Sequence, residues 1–227
     1  MSGINNFKYV FTKPKTCIFL TGASLSGKSI LSQIILSYIQ DCGIQSMDII
    51  RLLNIKFEEL KITKKRNIFY KYGSCDSYVS VGSGVYSDES LIKGFQENSK
   101  SICSVLEYIM PNLEKQGAMN VIFEGVQLNP KIIKKYLLNN NKLIIISTNK
   151  RQFQKNGQKL YGQEFDLRKR YDPRRLILIQ KNIIEQSKDF EKDKVIYINN
   201  SRSCTNVAIQ ILEELEKLKV IKKITNK

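Results

Sequence analysis

An α/β domain, with a parallel sheet covered by helices on both faces, is what this 227-residue sequence predicts. Three observations carry the prediction. Short apolar runs of strand length alternate with longer stretches of helical spacing. Capping residues followed by proline mark helix starts at Asn129-Pro130 and Asp172-Pro173. The first apolar run passes through a glycine-rich turn directly into a helix, the junction at which open α/β sheets hold ligands.

In chain order, residues 16–21 form a buried strand, and a helix over 28–41 follows, with Ile30, Leu31, Ile34, Ile35 and Tyr38 at helical spacing and Gly43 as its stop. A short strand is expected at 44–47. Residues 55–93 lose the pattern: Tyr70, Tyr72, Gly73, Asp76, Tyr78, Gly82 and Gly84 suggest a cap that contacts substrate. A helical pattern over 89–115 contains Pro111, which predicts a kink or a division there. Strands are predicted at 120–124, 142–147 and 194–198, and helices at 129–139, 172–190 and 204–222, the last capped by Ser203. Residues 150–171 are polar, basic and irregular, the composition of a lid, and 222–227 read as a frayed tail. The expectation is one domain over 1–227.

No apolar run reaches the ~18 residues that a membrane span needs, and the first fifteen residues lack the apolar core of a signal peptide, so a cytoplasmic protein without membrane contact is expected. The five cysteines are scattered without a CxxC pair, which argues against a disulfide framework or zinc site. Histidine is absent, so proton transfer must fall to carboxylates. The net charge of +16 would suit a nucleic-acid partner. It is mostly lysine, however, in a chain also rich in Ile and Asn, a bias that AT-rich coding imposes on any protein.

Residues Gly22, Ala23, Ser24, Leu25, Ser26, Gly27, Lys28 and Ser29 spell GxxxxGK[ST], the Walker A pattern. Its backbone N–H groups and the helix dipole favour phosphate, and Ile30 continues the wall of the nucleotide site. Lys28 would reach the β and γ phosphates of ATP or GTP, and Ser29 would hold Mg²⁺. The fold class sharpens accordingly to a P-loop NTPase three-layer sandwich of about five parallel strands, with small cap and lid insertions.

Asp48 follows the second strand and Arg51 stands three residues later, on the same face of a helix start. A carboxylate there could accept a proton from an attacking hydroxyl while the guanidinium grips an anionic acceptor; a helix cap beside a surface arginine is the bland alternative. Glu124 ends an apolar strand, the position of a Walker B carboxylate that orients Mg²⁺. Arg151, Arg168, Arg170, Arg174 and Arg175 crowd five of the eight arginines into a short span. Phosphoryl transfer needs such cations, with Arg168 and Arg174 the chosen candidates. Arg202, after the last strand, is a candidate base contact.

Several of these segments resemble 2-phosphoglycerate kinase and related P-loop kinase domains over roughly residues 16–215: the Walker A, Asp48-Ile49-Ile50-Arg51, Gly94-Phe95, the 121–128 block ending Glu124-Gly125-Val126-Gln127-Leu128, Arg170-Tyr171 and Ile179-Gln180. The resemblance implies a nucleoside-kinase-like fold and transfer of the ATP γ-phosphate, with Mg²⁺, to a hydroxyl of a phosphorylated or acidic small molecule. Arg51 and Arg174 would then bind acceptor or transition-state phosphate. The sequence departs from the family at Gln127, where a histidine is usual, at Asn98, where glutamine is usual, and at Ile177, where a basic residue is usual.

Three readings therefore stand open: a small-molecule kinase, a kinase of RNA or DNA ends using the same Asp-x-x-Arg, and a nucleotide-binding module without catalysis. The sequence leaves the acceptor, the choice of ATP or GTP and the oligomeric state open.

Overall fold

The computed structural model of the chain describes residues 8–60, 68–115, 120–162 and 171–224. The chain begins with β1 (Lys8–Phe11) and β2 (Cys17–Thr21), then forms α1 (Lys28–Tyr38), β3 (Cys42–Ser46), α2 (Met47–Glu59), a short α3 (Ile68–Lys71) and a 3-10 helix over Ser74–Ser80. It continues through α4 (Asp88–Cys103), α5 (Leu106–Lys115), β4 (Asn120–Glu124), α6 (Pro130–Ile133) and β5 (Lys142–Ser147). The last elements are α7 (Lys150–Tyr161), α8 (Pro173–Glu185), β6 (Val195–Asn199), α9 (Cys204–Lys217) and β7 (Ile221–Ile224).

The expected parallel sheet is present, in the order β3-β4-β2-β5-β6. Side chains alternate across a strand, so each central strand feeds two cores. Phe19, Phe123, Leu143 and Ile145 point to one face, where Leu91 and Phe95 of α4 and Ile179 and Ile183 of α8 cover them. Ile18, Leu20, Ile122, Ile144 and Ile146 point to the other, under Leu31 and Ile35 of α1 and Ile211 and Leu215 of α9. Helix, sheet and helix make the three layers.

The cap rests on α4. Ser87 starts that helix with a capping box: its hydroxyl accepts from Ser90 N at 3.0 Å and its own N–H donates to Ser90 Oγ at 2.8 Å. Gly94 lies where the 3-10 segment crosses, and a Cβ there would stand 2.2 Å from the Ser77 carbonyl oxygen and 2.8 Å from Tyr78 N. No flexible side-chain end can give way at such a backbone contact. Gly94→Ala is therefore expected to destabilise the protein by about 2–3 kcal/mol, the usual cost of overpacking, measured as a lower urea midpoint.

Four expectations are corrected. The helix expected over 204–222 ends at Lys217, and residues 222–224 of the expected tail join Ile221 in β7, antiparallel to β1, because Val220 and Ile221 are fully buried and outweigh the neighbouring lysines. The helix expected over 129–139 is only α6, after which a 3-10 turn over Lys134–Tyr136 tightens the chain and buries Leu137. The start of the irregular lid is the regular α7, capped by Asn149 Oδ1 on Gln152 N at 2.9 Å and anchored by Phe153; with so few apolar positions it lacked a visible stripe. Pro111 divides nothing: it sits inside α5, and the break falls at Ser104–Val105 instead.

Candidate active site

The loop between β2 and α1 is built for close backbone contact. Gly22 has φ 150°, and a Cβ on it would stand 2.2 Å from the Ile146 carbonyl oxygen of β5, so only glycine fits. Gly27, at φ 94°, caps α1. Two asparagines that sequence reasoning did not select brace the loop from outside. Asn200, buried after β6, donates to Ser26 O at 2.7 Å, and Asn156 of α7 donates to Leu25 O at 2.8 Å. Gln180 of α8 completes the frame, accepting from Thr148 N at 2.7 Å and donating to Thr148 O at 2.9 Å. An amide next to a strand end was the signal for Asn200; nothing in the sequence marked Asn156.

Lys28 is buried, with its amine donating to Ala23 O at 2.9 Å. Burial pushes this amine below the ordinary lysine value, and the carboxylates of Glu124 and Asp48 act in the opposite direction, holding its charge. Ser29 Oγ donates to Glu124 Oε2 at 3.1 Å, and Glu124 is itself buried at the end of β4. A hydroxyl and a carboxylate side by side at a phosphate loop match the oxygen donors Mg²⁺ takes when phosphates and water complete its shell. Among the described residues no group of three or more His, Cys, Asp and Glu forms a cage. The donor set thus fits a cation shared with phosphate.

Asp48 lies in the first turn of α2 and Arg51 follows it on the same face. Arg51 Nε stands 3.7 Å from Asp48 Oδ1, and its Nη1 donates to Tyr70 O of the cap at 3.0 Å. Gln127, wholly buried after β4, donates to Asp48 Oδ1 at 2.8 Å. Ser24, Asp48, Arg51, Ser74, Cys75 and Tyr171 line a cavity of about 110 Å³ that reaches from the phosphate loop to the cap. Ser24 Oγ and Ser74 Oγ, 3.3 Å apart, join the two walls.

The remaining candidates are placed differently. Arg174 has an exposed side chain in the first turn of α8, with its N–H bonded to Asp172 Oδ1 at 2.8 Å. Its neighbour Arg175 is the one turned into the cap: its guanidinium lies 4.9 Å from the Tyr78 ring centroid, 4.5 Å from that of Tyr86 and 3.6 Å from Asp76 Oδ1. Arg151, Arg202 and Ile30 are exposed. Arg168 and Arg170 lie outside the described residues.

No protein-family model matches the sequence, and no curated protein matches it. Solved structures do. The deoxyadenosine kinase from M. mycoides with bound dATP superposes with a TM-score of 0.51 at 13% identity, covering 88% of this chain and 100% of that one. TT1252 from Thermus thermophilus gives 0.50 at 16% identity, covering 91% and 99%. At such identities the likeness speaks to architecture alone, which in this chain is a five-stranded parallel sheet between two helical layers.

Proposed function

We propose that the chain is an ATP- and Mg²⁺-dependent phosphotransferase that moves the γ-phosphoryl group to a hydroxyl of a small anionic acceptor, of the kind 2-phosphoglycerate kinase uses. The observation that carries this is the cavity in which Asp48 and Arg51 face the phosphate loop across Ser24. A P-loop alone binds nucleotide; a carboxylate and a guanidinium beside it add what transfer to an anionic alcohol needs.

In this reading the loop amides and Lys28 hold the phosphates. Mg²⁺, held by Ser29 and Glu124, would neutralise phosphate charge. Arg51 fixes the anionic group of the acceptor and so orients its hydroxyl toward the phosphorus. Asp48 takes the hydroxyl proton as the new O–P bond forms and the bond to the ADP oxygen breaks. The cap, leaning on Gly94 and held to α8 through Arg175, supplies one wall of the cavity with Gly73, Ser74 and Cys75.

The cavity's volume of about 110 Å³ favours a small acceptor over a polynucleotide end. A panel of phosphorylated three-carbon acids, nucleosides and RNA ends, incubated with ATP and Mg²⁺ and read for phosphorylated product, tests this. Product from a small acid is the expected result. Product only from RNA ends, or ATP binding with no transfer to any acceptor, would overturn it.

A further inference from the structure

Two buried amides are tied to the Asp48–Arg51 pair, one directly and one through the cap, and each keeps an acceptor oxygen with no partner among the described residues. The Gln127 side chain is 0% exposed; its Nε2 meets Asp48 Oδ1 at 2.8 Å, and its Oε1 is buried without a hydrogen bond among the described residues. Asn98 of α4 is likewise 0% exposed; its Nδ2 donates to Phe69 O and, at 3.2 Å, to Tyr72 O, while its Oδ1 is buried without a partner among the described residues. Leaving a buried acceptor unmet is costly. An amide kept under that cost is kept for its N–H groups.

Gln127 reaches the pair directly, and Asn98 reaches it through the cap backbone. Asp48 Oδ1 receives Gln127 and faces Arg51 Nε at 3.7 Å, so one carboxylate oxygen is committed to the protein. The other oxygen carries no hydrogen bond among the described residues, on a side chain that is 56% exposed. A carboxylate pinned by one oxygen presents the second in a fixed direction. In the cap, Asn98 brackets Tyr70 by holding the carbonyls at 69 and 72, and Tyr70 O is the acceptor of Arg51 Nη1 at 3.0 Å. Arg51, 12% exposed, therefore takes its position from the cap, and the cap segment takes its position from Asn98.

We propose that Gln127 and Asn98 are positioning residues: Gln127 aims the free oxygen of Asp48 at the acceptor hydroxyl, and Asn98 sets Arg51 through the Tyr70 carbonyl. The catalytic half of this assignment rests on the kinase reading above; the contacts themselves do not. Both residues are amides, which hold their donors at every pH, so the pair is set without a titrating neighbour at either bond.

Two measurements test it. In ¹⁵N-labelled protein one Gln127 side-chain amide proton should be protected from solvent exchange and shifted, and Asp48→Ala should abolish the shift. This readout needs no turnover. In assays with the acceptor found by the panel, Gln127→Leu should lower kcat on the order of 10- to 100-fold, the range lost with a charge-assisted hydrogen bond. It should leave the Kd for ATP and the thermal midpoint within error. Asn98→Leu should instead raise the acceptor KM with ATP binding unchanged, and Asn98→Gln, if Leu unfolds the chain, should show the same KM effect. A Gln127→Leu enzyme with wild-type kcat overturns the proposal, and so does a Gln127 amide that exchanges freely. If the wild type transfers phosphate to nothing, the kinase reading fails while the amide spectrum still decides whether the clamp exists.

Discussion

Lys28→Met is expected to lower turnover by about 1,000-fold, the loss that follows removal of a preorganised charge from a transition state whose own charge is spreading, while the protein stays folded. The lysine is nine-tenths buried at the base of the loop, and methionine keeps an unbranched chain of similar volume in that space. What disappears is the amine and its bond to Ala23 O. Burial lowers this amine from the ordinary 10.5, so the folded protein binds its proton less tightly than the unfolded chain does. The resulting penalty on folding is fully present below the folded-state value and is lifted as pH rises toward 10.5. The variant should therefore be at least as stable as the wild type at neutral pH, and its advantage should shrink in alkaline buffer. Single-turnover transfer and urea melts at several pH values check both parts; a fully active variant would remove Lys28 from the mechanism.

How far the sequence carried these conclusions depends on whether a signal is local. The Walker A loop, the five parallel strands and the Asp48–Arg51 spacing were legible because each depends on neighbours within one turn or one strand. The bracing amides were not, since Gln127 lies 79 residues from Asp48 and Asn200 lies 174 residues from Ser26. Gln127 and Asn98 were visible only as departures from a familiar pattern; the fold bonds the first to Asp48 and the second to the cap carbonyls on either side of the Tyr70 oxygen that Arg51 meets. The arginine-rich segment shows the opposite limit. Arg174 and Arg175 are equally conspicuous in sequence, yet the helix phase of α8 exposes the first and turns the second between two tyrosines. Short-range composition could not make that choice, because it rests on where the cap brings Tyr78 and Tyr86. Helix α7 and strand β7 were hidden for a related reason: each is held by one or two buried apolar residues, too few to register as a period.

Asp48→Asn isolates proton transfer from everything else the site does, and its rate is expected to fall about 100- to 10,000-fold with the Kd for ATP unchanged. The substitution is nearly isosteric. Asparagine can offer its carbonyl oxygen to the Gln127 amide, so the 2.8 Å bond survives and no buried donor is orphaned. The 3.7 Å contact with Arg51 involves a half-exposed carboxylate, and pairs of that kind contribute little to stability. The variant should accordingly melt within about 0.5 kcal/mol of the wild type. What asparagine cannot do is take the acceptor proton, so a strongly reduced rate in a folded, ATP-binding protein would identify Asp48 as the base. An unchanged rate would mean that the hydroxyl loses its proton elsewhere, to a phosphate oxygen or to Glu124, and that Asp48 serves Arg51 instead. Gln127→Leu separates those cases: it should slow the enzyme only when Asp48 itself is the proton acceptor.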